Sequence, residues 1–175
     1  MLQRNILLIL LIVGLTSCQS KKAAQLNTVL VHAERNIFNI MVGKNGPNEK
    51  KLKCLIDGNF KCALQAVDDK EKAFNQVINE INAVETKDIE HGNELKKAAV
   101  SYYDAVKQVE ISDRQEIVLQ QLSQDKKNTI QMRDSAMAKQ WQLLNKKMEM
   151  RKLITKKETK LAEIQKQFNL VNHLN

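Results

Sequence analysis

The feature that most constrains the fold of this chain is the absence of glycine and proline from Asn93 to Asn175, almost half of its length. Both residue types interrupt helices, glycine through its backbone entropy and proline because it lacks an N–H donor. Strong helix formers such as Lys, Gln, Glu, Leu and Ala are abundant, and only 4% of residues are aromatic. The sequence therefore predicts an all-α fold. A sheet fold is disfavoured because it needs turn residues about every ten positions.

Glycine and proline mark the breaks in the first half of the chain. Apolar residues at helical spacing over residues 26–41 predict a first helix. It must end at residues 43–48, which hold two of the five glycines and the only proline. A short segment over residues 49–56 then precedes a second helix, which begins at Phe60 and should end before Gly92.

Polar caps must supply the breaks in the second half. We expect Asn93 to cap a helix, Ser112 to break it through a capping-box spacing with Gln115, and the polar residues 123–128 to form a hairpin loop. The last helix is then long, with a register slip near Arg151 that resembles a coiled-coil stutter. Its expected buried residues are Ile130, Met137, Trp141, Leu144, Met148, Ile154, Leu161, Ile164, Phe168 and Val171.

These segments predict one architecture: an elongated bundle of three to five helices with coiled-coil-like packing and a long C-terminal helix. Residues 26–175 would form this single domain. Residues 18–25 would be a short polar spacer, in which Lys21 and Lys22 either are solvated or touch anionic lipid.

The first eighteen residues have the layout of an export signal. Arg4 precedes the apolar run 6–13, which is followed by small residues and Cys18. The run is too short for a simple transmembrane anchor, which needs about 20 apolar residues. A cleaved signal is therefore the favoured interpretation.

The segment Leu15-Thr16-Ser17-Cys18 closely resembles the lipobox of bacterial lipoproteins. The resemblance implies removal of the signal peptide 1–17, attachment of diacylglycerol to the Cys18 thiol and acylation of the new amine, with palmitate as a typical fatty acid. Several acyl chains would hold the protein on a membrane, because each buried methylene contributes about 0.8 kcal/mol. Gln19, in place of an aspartate, favours the outer membrane facing the periplasm. The resemblance covers only the leader.

With Cys18 acylated, Cys54 and Cys62 remain in a compartment where disulfides persist. In one continuous helix they would be about 12 Å apart along the axis, beyond the roughly 7 Å limit for bridged Cα atoms. The Asp-Gly-Asn sequence at 57–59 supplies a bend. We therefore expect a structural disulfide that staples a short loop.

Charge is segregated along the chain. Residues 67–94 contain eight acids and three bases, whereas residues 146–160 contain seven bases and two acids. If these segments pack side by side, each exposed pair would stabilise by about a few tenths of a kcal/mol. The basic run is expected to be such an intramolecular or solvated face. The alternative is a contact surface for an anionic partner, formed by Lys146, Lys147, Arg151, Lys152, Lys156, Lys157 and Lys160.

No residue pattern suggests an enzyme, a metal site or a cofactor. The three histidines are far apart, and residues 43–46 lack the full phosphate-loop pattern and follow a helix rather than a strand. The basic helix also lacks the interleaved aromatics of nucleic-acid binders. We therefore expect a non-enzymatic protein with no cofactor and no nucleic-acid partner.

Two classes of function remain. The first is a membrane-anchored adaptor, assembly factor or structural component of the bacterial envelope, which would bind another envelope protein through an unsatisfied apolar stripe after Arg151. The second is a lipoprotein that binds a lipid or other apolar ligand in a groove near Met137, Trp141 and Met148. The helical spacing of the methionines in this helix instead favours core positions.

Overall fold

The computed structural model describes the backbone of residues 2–174 and the side chains of residues 21–174. All regular structure in that part of the chain is helical, which confirms the predicted all-α fold with its long C-terminal helix. The helices are α1 (Leu2–Val42), α2 (Pro47–Ile56), α3 (Phe60–Ala83), α4 (Gly92–Ile111), α5 (Asp113–Gln124) and α6 (Ile130–Val171).

Two of the helices, α3 and α6, begin at a residue whose side chain caps the helix. The side chain of Asn59 accepts a hydrogen bond from the Cys62 N–H at the start of α3, and that of Thr129 accepts one from the Met132 N–H at the start of α6. Ser112, whose φ and ψ are −63° and −15°, is the single residue between α4 and α5, so the predicted break is confirmed. The predicted capping box with Gln115 is wrong, because the Ser112 hydroxyl donates a hydrogen bond back to the Val109 carbonyl. Because α4 and α5 form one bent rod, the described chain contains five rods, within the expected range.

The start of α4 differs from the prediction. The helix begins at Gly92 rather than after a cap at Asn93, and the residue before it, His91, has a φ of 56°. The preceding helix α3 ends at Ala83, so a non-helical connection over residues 84–91 separates the two. The polarity of Asn93 therefore marked the right region but the wrong residue.

The main core is built from α1, α3, α4 and the C-terminal end of α6. Its most deeply buried members include Leu26 of α1, Phe74 and Ile81 of α3, Leu95 of α4 and Phe168 of α6. Each recurs at three- or four-residue spacing with other apolar residues of its helix, which keeps one face of each helix in the core. The core therefore requires residues more than a hundred positions apart in the sequence to meet.

The main core begins earlier than the apolar stripe predicts. Residues 21–25, expected to be a spacer, belong to α1, and Ala23 is fully buried in the main core. Alanine carries too little apolar surface to stand out among the lysines and glutamine around it. Residues 1–17 and the Cys18 side chain lie outside the residues whose side chains are described, so the predicted signal peptide and lipidation site stay predictions.

A second, smaller core surrounds the predicted disulfide. Cys54 and Cys62 are bonded, with their Cα atoms 5.6 Å apart. Gly58 has a φ of +68°, the left-handed conformation that the predicted bend between α2 and α3 requires. The bonded cysteines pack with Ala63, Val67 of α3 and Ile117 of α5. The disulfide therefore anchors short α2 to the junction of α3 and α5.

Candidate functional site: the hairpin arm

Helix α5 and the first half of α6 form a two-helix extension beyond the main core, here called the hairpin arm (residues 113–150). Leu119, Ala136 and Leu143 form its buried apolar cluster. Two helices cannot enclose more than a narrow strip between them, so most of each helix surface stays in solvent. Only four apolar residues of the arm are buried: Ile117, Leu119, Ala136 and Leu143.

Helix α6 follows one heptad register along its inner face, here called the inner seam. From Ala136 onward the buried and half-buried positions are separated alternately by four and three residues, as in a coiled coil. The inner seam consists of Ala136, Gln140, Leu143, Lys147, Met150, Ile154, Lys157, Leu161, Ile164 and Phe168. The stutter predicted near Arg151 is therefore wrong.

The predicted buried face of the arm is also wrong. Met137, Trp141, Leu144 and Met148 are 43–69% exposed, with Trp141 at the upper limit. Each follows an inner-seam residue by one position, which is a rotation of about 100° around the helix. The inner seam is preferred because it passes through Ala136, whose small side chain sits in the tight α5–α6 contact, and through Lys147, which reaches acids of α5.

The four exposed residues Met137, Trp141, Leu144 and Met148 form a continuous band, here called the outer stripe. Their spacing places them within about 60° of arc on α6. Exposed apolar side chains scattered singly are normal, but a contiguous band of this kind is typical of a binding surface. The outer stripe therefore replaces the segment after Arg151 as the unsatisfied apolar surface, since Ile154, Leu161 and Ile164 pack against the main core.

An open groove of about 630 Å³ runs beside the outer stripe. Met137, Trp141 and Leu144 line one side of it, and Glu116, Gln120, Ser123 and Gln124 of α5 line the other. Met148 is absent from its lining, so the predicted apolar groove near Met137, Trp141 and Met148 is only partly assembled. One wall of this groove is polar, which suits an amphipathic helix better than a lipid chain.

An ion cluster joins the arm to the rest of the bundle. Asp113, at the start of α5, accepts hydrogen bonds from Lys51 of α2, from Lys70 of α3 at 2.9 Å and from Lys147 of α6 at 2.7 Å. Lys70 also pairs with Glu110 at 2.8 Å, and Lys147 with Glu116. Three lysines and three acids thus neutralise one another where five helices, α2 to α6, meet at the bend at Ser112.

Burial and pairing act in opposite directions on this cluster. Burial opposes ionisation of Asp113, but the charge of Lys70 and the hydrogen bonds from Lys147, Lys51 and Lys70 outweigh it and hold the Asp113 pKa well below its usual range. Burial likewise opposes the charge on Lys147, but Asp113 and Glu116 raise its pKa. Asp113 and Lys147 are therefore both charged at neutral pH, and their ion pair joins α5 to α6 at the base of the arm.

The sequence patterns missed this cluster, although one signal was present. Lys70 lies three residues after Val67 and four before Phe74, on the apolar face of α3, and is 0% exposed. A lysine at an inner position of an otherwise apolar face needs a buried carboxylate partner. The sequence could not identify the partners, because Glu110 and Asp113 are about 40 residues away along the chain.

The condition for pairing between residues 67–94 and 146–160 is not met, because α3 and α6 do not pack side by side. Within residues 21–174, α3 and α6 make no ion pair with each other. Instead, Asp68 and Glu71 pair with Arg114 of α5, and Asp69 pairs with Lys50 of α2. The acids of α3 therefore stabilise the neighbouring short helices rather than the long C-terminal one.

The seven basic residues predicted as an anionic contact surface do not share one face of α6. Lys147 is buried in the ion cluster, and Lys157 is half-buried and donates a hydrogen bond to the Ser101 hydroxyl of α4. Lys152 pairs with Glu149 on the surface. The other four residues, Lys146, Arg151, Lys156 and Lys160, are exposed and make no ion pair with any described residue.

A separate cleft of about 380 Å³ lies between α1, α4 and α6. No Cα atom of α1 comes within 8 Å of one in α6 among the described residues, which leaves this space beside α4. Phe38, Tyr102 and Leu161 line it, and Glu34 and Glu158 stand at its rim. Burial, with help from Glu158 and Glu34, raises the pKa of Tyr102, so its hydroxyl stays neutral.

The described residues contain no group of His, Cys, Asp and Glu side chains that could hold a metal ion. Within residues 21–174, no helical segment is long and apolar enough to span a bilayer. The expectations of no metal, no cofactor and no enzymatic activity stay predictions.

Comparison with known proteins finds no relative of this chain. No protein-family model, curated protein or solved structure matches the chain.

Proposed function

We propose that this protein is a lipid-anchored, non-enzymatic interaction protein of the bacterial envelope, an adaptor or assembly factor whose hairpin arm binds another envelope protein. The observation that carries the proposal is the outer stripe, four contiguous exposed apolar residues on a helix whose other face is already packed. Apolar bands of this kind bind an amphipathic helix by inserting side chains at three- and four-residue spacing. The polar wall of the neighbouring groove would hold the polar side of such a helix.

The position of the stripe relative to the predicted anchor supports the same role. Asn27, nine residues after Cys18, hydrogen-bonds to Gln165 near the C-terminal end of α6. Ile130, at the tip of the arm, lies about 52 Å from Gln165 along the continuous helix. An anchor at Cys18 would therefore hold one end of the molecule at a membrane and leave the apolar surface at the other end, as an adaptor requires.

Site-specific photocrosslinking in cells tests this proposal. A photoreactive amino acid replaces Leu144 of the outer stripe or, as a matched control, Leu153, an exposed leucine on the opposite side of α6. We expect a discrete adduct with another envelope protein from position 144, absent from position 153. In Cys18→Ala the adduct should disappear, because the lipid anchor would no longer place the arm beside its partner. Equal adducts from both positions would contradict the proposal.

The lipid anchor is tested separately. Cells grown with a radiolabelled or clickable palmitate analogue should label the wild-type chain but not Cys18→Ala, and the labelled chain should fractionate with the outer membrane. The label should survive in Cys54→Ser/Cys62→Ser, because those thiols form the disulfide. Label that persists in Cys18→Ala would exclude acylation at this residue as the tether.

The α1–α4–α6 cleft supports a second candidate function, binding of a lipid or other apolar ligand. Its volume of about 380 Å³ and its lining by Leu30, Phe38 and Leu161 suit a single acyl chain. Ala162→Trp, which fills the cleft, should abolish binding of a fluorescent fatty acid. Ala138→Trp, at an exposed position of α6 on the arm, is the matched control and should bind normally. Equal binding by the two variants would exclude the cleft as the site.

A further inference from the structure

The outer stripe has a symmetry that identifies an occupant. Its residues Met137, Trp141, Leu144 and Met148 are separated by four, three and four positions, so the spacing is the same in both directions along the helix. The midpoint lies between Gln142 and Leu143. A second identical helix, rotated by a twofold axis at this midpoint, would place Met137 against Met148 of the other copy and Trp141 against its Leu144.

The residues that extend the stripe obey the same symmetry and add charge complementarity. Asp134 lies three positions before Met137, and Arg151 lies three positions after Met148. Both are exposed, and neither forms an ion pair with another residue in the described part of the chain. In the antiparallel arrangement each Asp134 faces an Arg151 of the other copy, which gives two opposite-charge pairs, one at each end of the apolar band.

The charges also exclude the parallel arrangement. Two parallel stripes in register would place Asp134 against Asp134 and Arg151 against Arg151, and like charges facing each other across an interface are destabilising. The next position outward is Ile130 at one end and Thr155 at the other, and both are uncharged. Arg133 and Lys152 are related by the same midpoint, but Lys152 is already paired with Glu149 of its own chain. The contact from Asp134 to Arg151 would extend along about 26 Å of helix.

From this spacing, exposure and charge pattern, we propose that the outer stripe binds a second copy of this chain, forming a twofold antiparallel α6–α6 dimer. This proposal rests on the proposed function, because it takes the outer stripe to be a protein-binding surface. It names a second copy of the chain as a protein that binds there. The polar walls of the two arms would then remain on the outside of a four-helix assembly.

The dimer would separate the two predicted anchors. Gln165, which marks the anchored end of each copy, lies about 34 Å from the symmetry axis, so the two anchored ends point in opposite directions about 68 Å apart. Both anchors reach one bilayer only when the long axis lies along the membrane surface. A twofold dimer on one membrane would therefore lie along the surface and be tethered by lipid at both ends.

Thiol crosslinking between differently tagged full-length copies tests the register. One copy carries Met137→Cys and the other Met148→Cys, and both are expressed together in a Gram-negative host and treated with a short thiol crosslinker. We expect a mixed adduct, because the two positions face each other. Met137→Cys alone should give no adduct with itself, since the two thiols would be about 16 Å apart along the axis. Met137→Cys paired with Leu153→Cys is the matched control and should also give none.

A charge-reversal cycle tests the pairing itself. Asp134→Arg alone and Arg151→Asp alone should each weaken dimerisation of the lipidated protein in detergent, measured by sedimentation, because each places like charges together. The double variant should restore it to within about threefold of wild type, as expected for two directly coupled residues. Trp141→Ala should weaken the dimer by at least about tenfold, and Leu153→Ala should not change it.

The outcomes separate this proposal from the function that it extends. A mixed 137–148 adduct together with charge restoration supports the dimer. The proposed dimer is overturned if Met137→Cys forms an adduct with itself, or if Trp141→Ala leaves the dissociation constant unchanged. Adducts from position 144 with a different protein but no self-association also overturn the dimer, yet they support the adaptor function. A dimer that forms without adducts to any other protein supports the dimer and contradicts the adaptor function.

Discussion

The main core and the hairpin arm share the continuous helix α6 but are stabilised in different ways. In the main core, residues of four helices surround one another, and Phe74, Leu95 and Phe168 are completely buried. In the arm, a strip of three apolar residues is supplemented by charge, because Lys147 and Asp113 tie α6 to α5 at the base. The comparison teaches that a helix can keep one heptad register while its neighbours change from apolar packing to ion pairing.

Because apolar burial in the main core involves four helices, Phe168→Ala should have the largest effect on stability. The ring is fully buried, and its removal leaves a cavity that distant helices cannot fill, so we expect a loss of about 3–5 kcal/mol in the free energy of unfolding. Urea unfolding followed by circular dichroism measures this. A loss below about 1 kcal/mol would show that the C-terminal end of α6 is dispensable for the main core. Leu170→Ala, at an exposed position nearby, is the control.

The ion cluster should give the next largest effect. Asp113→Ala leaves three lysines beside only two acids, so we expect a loss of about 3 kcal/mol in the free energy of unfolding. Lys70→Met should cost less, because it removes a buried cation and leaves Asp113 paired with Lys51 and Lys147. If Lys70→Met proves the more damaging of the two, Asp113 is not the centre of the cluster.

The cluster also predicts a pH dependence. The pKa of Asp113 in the folded chain lies below the value of about 3.9 expected in the unfolded chain. Its contribution is therefore complete above that pH and is lost as the pH falls from about 4 towards the lower folded-state value. The stability difference between wild type and Asp113→Asn should shrink over this interval. A difference that stays constant down to pH 2 would contradict the role of this carboxylate.

The disulfide should contribute less to the free energy of unfolding than Phe168 or the ion cluster. It closes a loop of eight residues, for which loop entropy predicts about 2–3 kcal/mol. Cys54→Ser/Cys62→Ser should therefore lower the free energy of unfolding by that amount, and reductant should reproduce the loss in the wild type. Reductant should not affect the double variant, which serves as the control.

Within the arm, Leu143→Ala should cost about 2 kcal/mol, the lower end of the range for buried leucine, because a two-helix arm can close around the lost volume. Hydrogen exchange should show faster exchange of α5 and the first half of α6, with no change in α1 and α3. Faster exchange throughout the chain would show that the arm and the main core unfold as one unit.

The smallest effect on monomer stability is expected at the outer stripe. Trp141 and Leu144 are exposed, so replacing either with alanine should change the free energy of unfolding of the monomer by no more than about 0.5 kcal/mol. Thermal unfolding measures this change at a protein concentration below the dissociation constant of the dimer, where the chain is monomeric. A larger loss would mean that the tryptophan packs within its own chain and is not a free surface.

Much of the fold followed from local rules that sequence patterns express directly. The proline and glycines at 43–48 and the polar residues 123–128 each end or begin a helix, as predicted, whereas the side-chain caps at Asn59 and Thr129 were recognised only in the structure. The disulfide followed from the spacing of two cysteines across a flexible bend. These features depend on residues within about ten positions of one another.

The errors were concentrated in α6, where two heptad patterns lie one residue apart. The outer stripe contains more apolar side chains than the inner seam beside it, so hydrophobicity alone selected the wrong face. The inner seam contains Lys147 and Lys157, which pattern analysis treats as solvent-facing. Their partners Asp113, Glu116 and Ser101 become neighbours only after the chain has folded.

The sequence by itself determined that this chain is helical, where its helices break, and which two cysteines form the bond, because capping, turn chemistry and short loops act locally. Only the tertiary structure decided which face of α6 is buried, that Lys70 and Asp113 form an ion cluster, and that the outer stripe stays exposed. Each of these depends on free energies between helices distant in sequence: burial of apolar area, and pairing of charges that are costly to bury alone.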